Sequence, residues 1–231
     1  MSNVAVIAAA GNGERLNCHN SKMLANILGK PLLAYTLDQF EQSDKIDEII
    51  LVVRSQDIYN IKEEVLKRYK YHKLNSIVIG GTTRQESVYR GLKAIKRNAC
   101  TVCIHDGARP LVQRWMIDKT MNIDTKYDGV ILAIPVIETI KKVLPQNEIV
   151  VEKTVNRNKF WVAQTPQSFQ LACILELHQR AQEDALVVTD DASIVEHYGG
   201  KIKIVSGSRE NIKVTTLIDL ILAEAIIKKY L

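Results

Sequence analysis

The chain has 231 residues, and its 31 lysines and arginines outnumber its 26 aspartates and glutamates, so the formal charge is +5. Hydrophobic residues at 46% and charged residues at 25% are typical of a globular protein and exclude a disordered chain. The sequence contains no run of 18 apolar residues, which is the length that a membrane-spanning helix needs. The positive charge is compatible with three partner classes, namely nucleic acid, an anionic membrane surface or a small anionic substrate.

Apolar runs typical of strands alternate with amphipathic runs typical of helices from residue 4 to residue 134. The first run is apolar throughout, as expected for a strand buried on both faces. Ser55 is the predicted N-cap of the second helix, and Thr83 with Glu86 has the pattern of a capping box before the third. In chain order the predicted elements are a strand at 4–10, a helix at 31–41, a strand at 48–53, a helix at 55–69, a short strand at 77–79, a helix at 83–97, a strand at 101–105, a helix at 114–121 and a strand at 130–134.

The alternation breaks between residues 138 and 162. Apolar and charged residues alternate there around a turn signal at Pro145-Gln146-Asn147, so we predict an inserted β-hairpin arm. Such an arm buries little surface against its own chain, and packing on a second subunit is its expected fate. Helices at 171–182 and 191–198, a strand at 203–205 and a last helix from residue 217 complete the prediction.

This pattern predicts an α/β fold in which a mostly parallel sheet carries helices on both faces. We expect residues 1–231 to form one domain, with residues 138–162 as the arm. In sheets of this kind ligands bind at the carboxyl ends of the strands.

Two clusters have a structural interpretation beside a functional one. The basic, aromatic-rich stretch 67–73 is predicted to be the cationic end of a helix rather than a nucleic-acid patch, because no second cluster of this kind appears. Cys100 and Cys103 have no second pair and no nearby histidine to complete a zinc site. We interpret these two, Cys18 and Cys173 as reduced thiols, typical of a cytoplasmic protein.

Small residues and glycines follow the first predicted strand, in the segment Ala9-Ala10-Gly11-Asn12-Gly13. They let the backbone approach a ligand closely, and its N–H groups can hold phosphate oxygens. Leu16 stands where the dinucleotide fingerprint needs a third glycine, and the Walker pattern is absent. Arg15 and Lys22 flank the loop, and such cations suit the polyphosphate of a nucleotide. A plain tight turn is the alternative.

Charged residues also stand near the end of the predicted strand at 101–105. Asp106 could accept a hydrogen bond from a substrate hydroxyl group or help to place a cation. Arg109 could bind phosphate or brace Asp106. The alternative is that the two residues form an ion pair that only fixes a loop. Lys213 stands alone in an apolar stretch, which favours a functional lysine over one that snorkels to water. His105 is predicted to be a core histidine, because strand alternation points it away from Asp106.

Several segments taken together carry a resemblance to a known family. They are AAGNGER at 9–15 with a lysine downstream, GGTTRQESV at 80–88, HDGARP at 105–110, PVIETIK at 135–141, QTPQSF at 164–169, TDDAS at 189–193 and NIKVT at 211–215. In this order and spacing the chain resembles the 2-C-methyl-D-erythritol 4-phosphate cytidylyltransferases of the non-mevalonate isoprenoid pathway, from about residue 4 to residue 223.

The resemblance implies a Rossmann-like nucleotidyltransferase domain that binds CTP and a polyol phosphate, with Mg²⁺ or another divalent cation entering with CTP. It also implies a homodimer formed through the arm and a cytoplasmic location, and we expect neither a nucleic-acid nor a membrane partner. The nucleophile is a substrate phosphate oxygen that attacks the α-phosphorus of CTP in line, so no general base is needed. Positioning and positive charge should supply most of the catalysis.

The site residues expected on this basis fall into three groups. The expected catalytic cations are Arg15, Lys22 and Lys213. The expected CTP-binding residues are Ala9, Ala10, Gly11, Asn12, Gly13, Gly81, Thr82 and Ser87. The expected polyol-phosphate-binding residues are Asp106, Arg109, Thr139, Arg157 and Thr165, with Thr139 and Arg157 reaching the neighbouring subunit's site. No protein residue is assigned to the metal, although Asp106 is a candidate.

Three positions depart from the family's usual residues, because Ser21 replaces a proline, Gly107 an alanine and Glu138 an aspartate. Ribitol-5-phosphate cytidylyltransferase is an alternative function, but the segments ETIK at 138–141 and TDDAS at 189–193 favour the methylerythritol enzyme. A non-catalytic nucleotide-binding module is an alternative of another class. The joint presence of the expected phosphate-binding cations argues against it.

Overall fold

The computed structural model describes residues 2–11, 21–96, 99–144 and 148–230. Its strands are β1 (Ser2–Ala8), β2 (Asn26–Ile27), β3 (Lys30–Pro31), β4 (Glu48–Val53), β5 (Leu74–Ile79), β6 (Ala99–Asp106), β7 (Gly129–Pro135), β8 (Lys141–Leu144), β9 (Val150–Thr154), β10 (Trp161–Gln170) and β11 (Ile202–Ser206). Within these described ranges, seven of them form one sheet in the order β11-β7-β10-β6-β1-β4-β5. The pairs of β1 with β4 and β6, of β4 with β5 and of β7 with β11 are parallel. The prediction of a mostly parallel sheet is confirmed.

Helices cover both faces of this sheet, as predicted. They are α1 (Leu32–Gln42), α2 (Ile58–Ile61), α3 (Arg84–Lys93), α4 (Arg114–Thr120), α5 (Leu171–Glu183), α6 (Asp191–His197) and α7 (Leu217–Lys228). The alternation of β1 divides the core, because Ile7 packs with α1, α4 and α7 on one face and Val6 packs with α3, α5 and α6 on the other. None of the described helices is long and apolar enough to cross a membrane.

Strand β10 is absent from the sequence prediction. It runs antiparallel between β6 and β7, and its register shifts between Ala163 and Gln167. Its segment contains Pro166 and several polar residues, which mask the strand pattern. Gln164, Thr165 and Gln167 are nevertheless buried, because they bond to the Ser208 carbonyl, to the end of β6 and to Asp190, respectively.

Several predicted boundaries are wrong. The helix predicted at 55–69 is a 3₁₀ turn at Ser55–Asp57, then α2, then a π-helical turn at Lys62–Leu66 in which Lys67 N–H bonds to the Lys62 carbonyl. Ser55 caps nothing with its side chain, since the turn begins after Arg54. Helix α3 ends at Lys93 instead of residue 97, because the next N–H groups bond in shorter turns. The hairpin β2–β3 was not predicted.

The basic stretch 67–73 is only partly the helix end that the sequence predicts. Lys67 lies just after the π-helical turn and pairs with Glu63. The following residues fold back on α1, where the N–H groups of His72 and Lys73 donate to the Glu41 carboxylate at 2.8 and 3.1 Å. These contacts with α1 give the stretch a structural role.

The predicted hairpin arm is present as the antiparallel pair β8–β9. Its predicted turn at 145–147 lies outside the described residues. The arm and the segment that follows it expose large apolar side chains, among them Ile149, Val151, Phe160 and Trp161. Exposed apolar residues in this number on one projection are typical of a surface that another protein covers.

Candidate active site

Two adjoining cavities lie at the carboxyl ends of β1, β5 and β6, where the strand order reverses between β1 and β6. The first has a volume of about 160 Å³. Its lining consists of Ala8, Ala10, Gly11, Lys22, Met23, Gly81, Thr82, Thr83, Arg84, Ser87, Asp106, Ala108 and Lys213. The sequence-predicted nucleotide-binding residues in the described ranges all lie in this lining, except Ala9, which is buried in the core.

The second cavity, of about 210 Å³, lies between the end of β6, the irregular part of β10 and the loop before α6. It is lined by Arg84, Asp106, Arg109, Ala163, Gln164, Thr165, Gln167, Thr189, Asp190 and Lys213. It shares Arg84, Asp106 and Lys213 with the first cavity. Two ligands bound in these cavities would therefore meet at a wall made of one carboxylate and two cations.

Asp106 is the centre of this shared wall. Its Oδ1 accepts a hydrogen bond from Arg84 Nε at 2.9 Å, and its Oδ2 lies 2.8 Å from Lys213 Nζ and 3.8 Å from Arg109 Nε. Burial alone would raise the pKa of Asp106, but Arg84, Lys213 and Arg109 outweigh that effect and hold the pKa well below its ordinary value. Asp106 is therefore an anion that holds three cations at the junction.

Arg84 is a residue of the shared wall that was not predicted as a site residue, although it lies in the motif GGTTRQESV at 80–88. It begins α3, and its Nη2 lies 2.8 Å from Asp191 Oδ2. Asp191 Oδ1 in turn lies 3.1 Å from Nε2 of the fully buried His178. Burial alone would lower the pKa of Arg84, but Asp191 and Asp106 raise it above its ordinary value. Arg84 therefore stays charged between two carboxylates.

The loop between β5 and α3 forms one side of the first cavity. Gly81 N–H donates to Ser87 Oγ at 3.0 Å, and Thr82 N–H donates to the Glu86 carboxylate at 2.8 Å. Arg90 bonds both to Glu86 and to the Gly80 carbonyl. A Cβ at position 81 would overlap the Glu86 carboxyl carbon, so any larger residue there would displace the Glu86 side chain from Thr82. Half of the predicted capping box forms, because Thr83 accepts from Glu86 N–H while Glu86 turns to Thr82 instead.

Lys213 is held at the junction by a braced segment. Arg109 Nη1 donates to the Asn211 carbonyl at 2.7 Å, and Asn211 Nδ2 donates to the Thr165 carbonyl at 2.9 Å. Val214 N–H donates to the Ala108 carbonyl at 2.8 Å. The segment that carries Lys213 is thus tied to the loop after β6 and to β10. Arg109 bonds to this segment, while its distance of 3.8 Å from Asp106 is longer than a hydrogen bond.

His105 is a satisfied core histidine, as predicted. Its Nδ1 lies 3.0 Å from Thr165 Oγ1 and its Nε2 3.3 Å from the Arg109 carbonyl. Because the Thr165 hydroxyl oxygen already accepts from Asp106 N–H, we assign its proton to His105 Nδ1 and a proton on Nε2 to the carbonyl. Burial is the main cause that lowers the pKa of His105 to about 3, so the ring is neutral.

A sequence model of one family covers nearly the whole chain. The family is described as 2-C-methyl-D-erythritol 4-phosphate cytidylyltransferase, and its model matches residues 3–229. The chain belongs to this family. It is therefore a nucleotidyltransferase of the cytidylyltransferase class, in the non-mevalonate isoprenoid pathway.

Similar proteins agree with this membership over their full length. The chain is 42% identical over 227 residues to the 2-C-methyl-D-erythritol 4-phosphate cytidylyltransferase of Clostridium acetobutylicum, covering 98% of both chains. It is 43% identical to that of Halalkalibacterium halodurans, covering 96% of this chain and 95% of the relative. Among solved structures, 4-diphosphocytidyl-2C-methyl-D-erythritol synthase from Anaerococcus prevotii superposes with a TM-score of 0.86 at 34% identity, covering 98% of this chain and 96% of that one.

The family positions are not all brought together in one chain. Asp106, Arg109 and Thr165 line the second cavity. Thr139 and Arg157 are exposed within the arm, where Arg157 donates to the Ile137 carbonyl, and they belong to neither lining. The expected residues Asn12, Gly13 and Arg15, and Cys18, lie outside the described residues.

The departures from the usual family residues have local consequences. Gly107 lies so close to β1 that an added Cβ would stand 3.1 Å from the Ala9 Cβ, tighter than most side-chain contacts. The Gly107 carbonyl accepts from Thr36 Oγ1 at 3.0 Å, which fixes the loop after β6. Ser21 is buried directly before the 3₁₀ turn Lys22–Leu24, and its carbonyl accepts from Leu24 N–H at 2.9 Å. Backbone hydrogen bonding thus orders this turn without the proline.

Proposed function

We propose that the protein transfers the cytidylyl group of CTP to 2-C-methyl-D-erythritol 4-phosphate, giving 4-diphosphocytidyl-2-C-methyl-D-erythritol and pyrophosphate. The observation that carries this proposal is the pair of cavities that meet at Asp106 and Lys213. A transferase that joins two phosphorylated substrates needs two adjoining subsites with positive charge at their junction. Family membership supplies the identity of the two substrates.

CTP occupies the first cavity in this proposal. Its base lies against the loop of Gly81 and Thr82. The N–H groups of both residues are bonded within the protein, so the backbone carbonyls of this loop are proposed to accept from the amino group of the cytosine. Ala10 and Gly11 leave room for a ligand next to the backbone, and Lys22 lies in the same lining to receive phosphate charge. Arg15 is proposed to share the leaving pyrophosphate with Lys22.

The polyol phosphate occupies the second cavity. Asp106 supplies an acceptor for a substrate hydroxyl group, Arg109 supplies positive charge at the same lining, and Thr165 contributes to the wall of the cavity. The substrate phosphate oxygen is already an anion at neutral pH, so it attacks the α-phosphorus without a general base. Lys213 Nζ stands at the junction, where negative charge accumulates as the new P–O bond forms and pyrophosphate leaves.

A divalent cation is proposed to enter with the triphosphate of CTP. The described residues contain no group of three histidine, cysteine or acidic side chains placed to hold a metal. Both carboxylate oxygens of Asp106 already face cations, so Asp106 does not fit the metal-ligand alternative. Mg²⁺ retains several waters and binds phosphates readily, which suits an ion carried by the nucleotide.

The arm is proposed to build a homodimer in which each subunit completes the other's site. Arg157 and Thr139 carry polar groups near the end of an arm whose apolar residues are exposed. The rest of residues 1–231 forms the catalytic domain, with residues 138–162 as the dimerisation arm. Because CTP is a cytoplasmic metabolite, we propose the cytoplasm as the location.

The proposal is tested by pyrophosphate release. The protein should release pyrophosphate only when CTP, a divalent cation and 2-C-methyl-D-erythritol 4-phosphate are all present. UTP should be a weaker nucleotide substrate, and ATP and GTP weaker still, because the base is proposed to bind against one loop of fixed shape and hydrogen-bonding groups. Equal turnover with all four nucleotides would contradict the assigned base site, and CTP binding without pyrophosphate release would favour a binding module.

A further inference from the structure

A network of ion pairs that ends in a histidine–carboxylate hydrogen bond runs from the junction of the two cavities into the protein interior. Lys213 and Arg84 hold the two oxygens of Asp106, Arg84 also holds Asp191, and Asp191 holds His178, at distances between 2.8 and 3.1 Å. We propose that Asp191 and His178 are positioning residues, which fix the Arg84 guanidinium and through it the carboxylate of Asp106. The proposal rests on the function proposed above, since its readout is that reaction.

The geometry of Arg84 is the first support. Its Nε donates a hydrogen bond to Asp106, and its Nη2 lies 2.8 Å from Asp191 Oδ2 in an ion pair without hydrogen-bond geometry, so two nitrogens of one planar fork each face a carboxylate. A planar guanidinium held at two points has its orientation set, whereas one held at a single point can rotate about that contact. Asp191 therefore decides where the Arg84 fork points, and with it where Asp106 Oδ1 is anchored.

The burial of the inner members is the second support. The side chains of His178 and Asp191 are 0% and 1% exposed, and neither residue belongs to the lining of either of the two adjoining cavities. The His178 ring also stacks on Tyr89 with a centroid distance of 6.1 Å and an interplanar angle of 3°. His178 thus contacts Asp191 from a buried, stacked ring, and Asp191 links it to Arg84.

The consequence for the junction follows from the charges. Asp106 faces three cations, and Lys213 is the one that the reaction needs at the α-phosphate. While Arg84 anchors Oδ1, the second oxygen meets Lys213 in a defined position. If Arg84 rotated, Asp106 would be free to turn toward Lys213 and Arg109, which would shift the cation and the polyol-binding acceptor together. A displacement of about 1 Å at such a site can cost on the order of a hundredfold in rate.

The network also joins four separate elements. Asp106 ends β6, Arg84 begins α3, His178 lies within α5 and Asp191 begins α6. A purely structural role would make the network matter for stability alone. The positioning role makes it matter for the junction, where Arg84, Asp106 and Lys213 line both cavities, more than for the base side of the first cavity, where Gly81 N–H bonds to Ser87 Oγ.

A matched pair of variants at His178 tests the proposal. H178Q places an amide nitrogen near the position of Nε2 and can still donate to Asp191, whereas H178N places it near Nδ1 and cannot. We expect H178Q to keep kcat/KM for the polyol phosphate within about twofold of the unsubstituted enzyme, and H178N to lose at least about tenfold. KM for CTP should change less than about twofold in both variants.

D191N is an independent second variant, because it tests the network without a substitution at His178. It is expected to lower kcat/KM for the polyol phosphate by about tenfold or more, again with KM for CTP nearly unchanged. S43A is the stability control, because the buried Ser43 donates to Asp118 at 2.8 Å beside the amino-terminal edge of β4, away from both cavities. It should lower the unfolding temperature without changing either kinetic constant.

Two results would overturn the inference. In the first, both H178N and D191N keep unchanged kinetic constants for both substrates. In the second, H178Q and H178N lose kcat/KM equally, and the loss is the same for both substrates. An unsubstituted protein that turns over no polyol phosphate would contradict the proposed function and this inference with it. An active unsubstituted protein with either of the first two results would contradict the inference alone.

Discussion

At the scale of single residues, Lys213 carries the sharpest prediction. Its side chain is 38% exposed and its charge faces Asp106, which keeps Arg84 and Arg109 as partners when the lysine is removed. Partly exposed ion pairs contribute at most about 1 kcal/mol to stability. K213A should therefore unfold close to the temperature of the unsubstituted protein, while its kcat falls by about a hundredfold or more.

The measurement is pyrophosphate release together with thermal unfolding. K228A is the matched control, because Lys228 also pairs with one carboxylate, that of Glu224, but lies on the exposed face of α7. It should keep its kcat. Near-normal turnover in K213A would contradict the role proposed for Lys213.

His105 gives a pH-dependent prediction. Its pKa in the folded protein is lowered to about 3, whereas an unfolded histidine titrates near 6.5. Between these values the unfolded chain binds the proton and the folded protein does not, so the free energy of unfolding falls as the pH falls. For this one group the loss from pH 7 to pH 5 is about 2 kcal/mol.

The H105Q variant lacks this titration. The difference in free energy of unfolding between the unsubstituted protein and H105Q should therefore shrink by about 2 kcal/mol between pH 7 and pH 5, as measured by urea unfolding at each pH. Parallel profiles would show that His105 is not buried as a neutral ring.

At the scale of elements, the loop between β5 and α3 is held by Glu86 and Arg90. Glu86 accepts from both the N–H and the hydroxyl of Thr82, which lines the first cavity. E86A should release the loop and raise KM for CTP by about tenfold, with kcat little changed, because the contact is made equally before and during the reaction. E63A is the control. Glu63 pairs with Lys67 four residues later, as Glu86 does with Arg90, but lies on an outer surface. A larger fall in kcat than rise in KM would contradict this role.

The elements also show what sequence patterns can and cannot reach. The buried strands β1, β4 and β6 are read from continuous apolar runs, because a strand buried on both faces needs such a run. Strand β10 is not predicted, because several of its buried side chains are polar and bond to residues distant in sequence, as Gln164 does with the Ser208 carbonyl. No local pattern records a partner 44 residues away.

The same distinction separates the parts of the site. Asp106, Arg109 and Lys213 were selected because a charge after an apolar strand, or alone in an apolar stretch, stands out locally. Arg84 and Asp191 did not, although both lie in segments that carry the family resemblance. Their significance arises from the folding of α3 and α6 around the end of β6, which only the structure displays.

At the scale of the whole molecule, the proposed dimer places Lys213 and Arg157 of different subunits in one site. R157A and K213A should each be nearly inactive. In a dimer that contains one chain of each kind, one site lacks both residues and the other lacks neither. Random pairing after co-expression should therefore restore roughly a quarter of the full activity per chain.

Activity of the mixture is compared with that of each variant alone at the same total concentration. Restoration to about this level would support the shared site. A mixture no more active than its two components would contradict it, provided that sedimentation shows mixed dimers.

The central claim is that these two cavities join CTP to one particular polyol phosphate. Competition measures this most directly: 2-C-methyl-D-erythritol 4-phosphate and ribitol 5-phosphate are supplied together at equal concentration with CTP, and the products are identified by mass. The ratio of products reports the ratio of the two kcat/KM values. The proposed function predicts that 4-diphosphocytidyl-2-C-methyl-D-erythritol is the dominant product. A predominance of the cytidylylated ribitol, or no cytidylylated polyol at all, would contradict it.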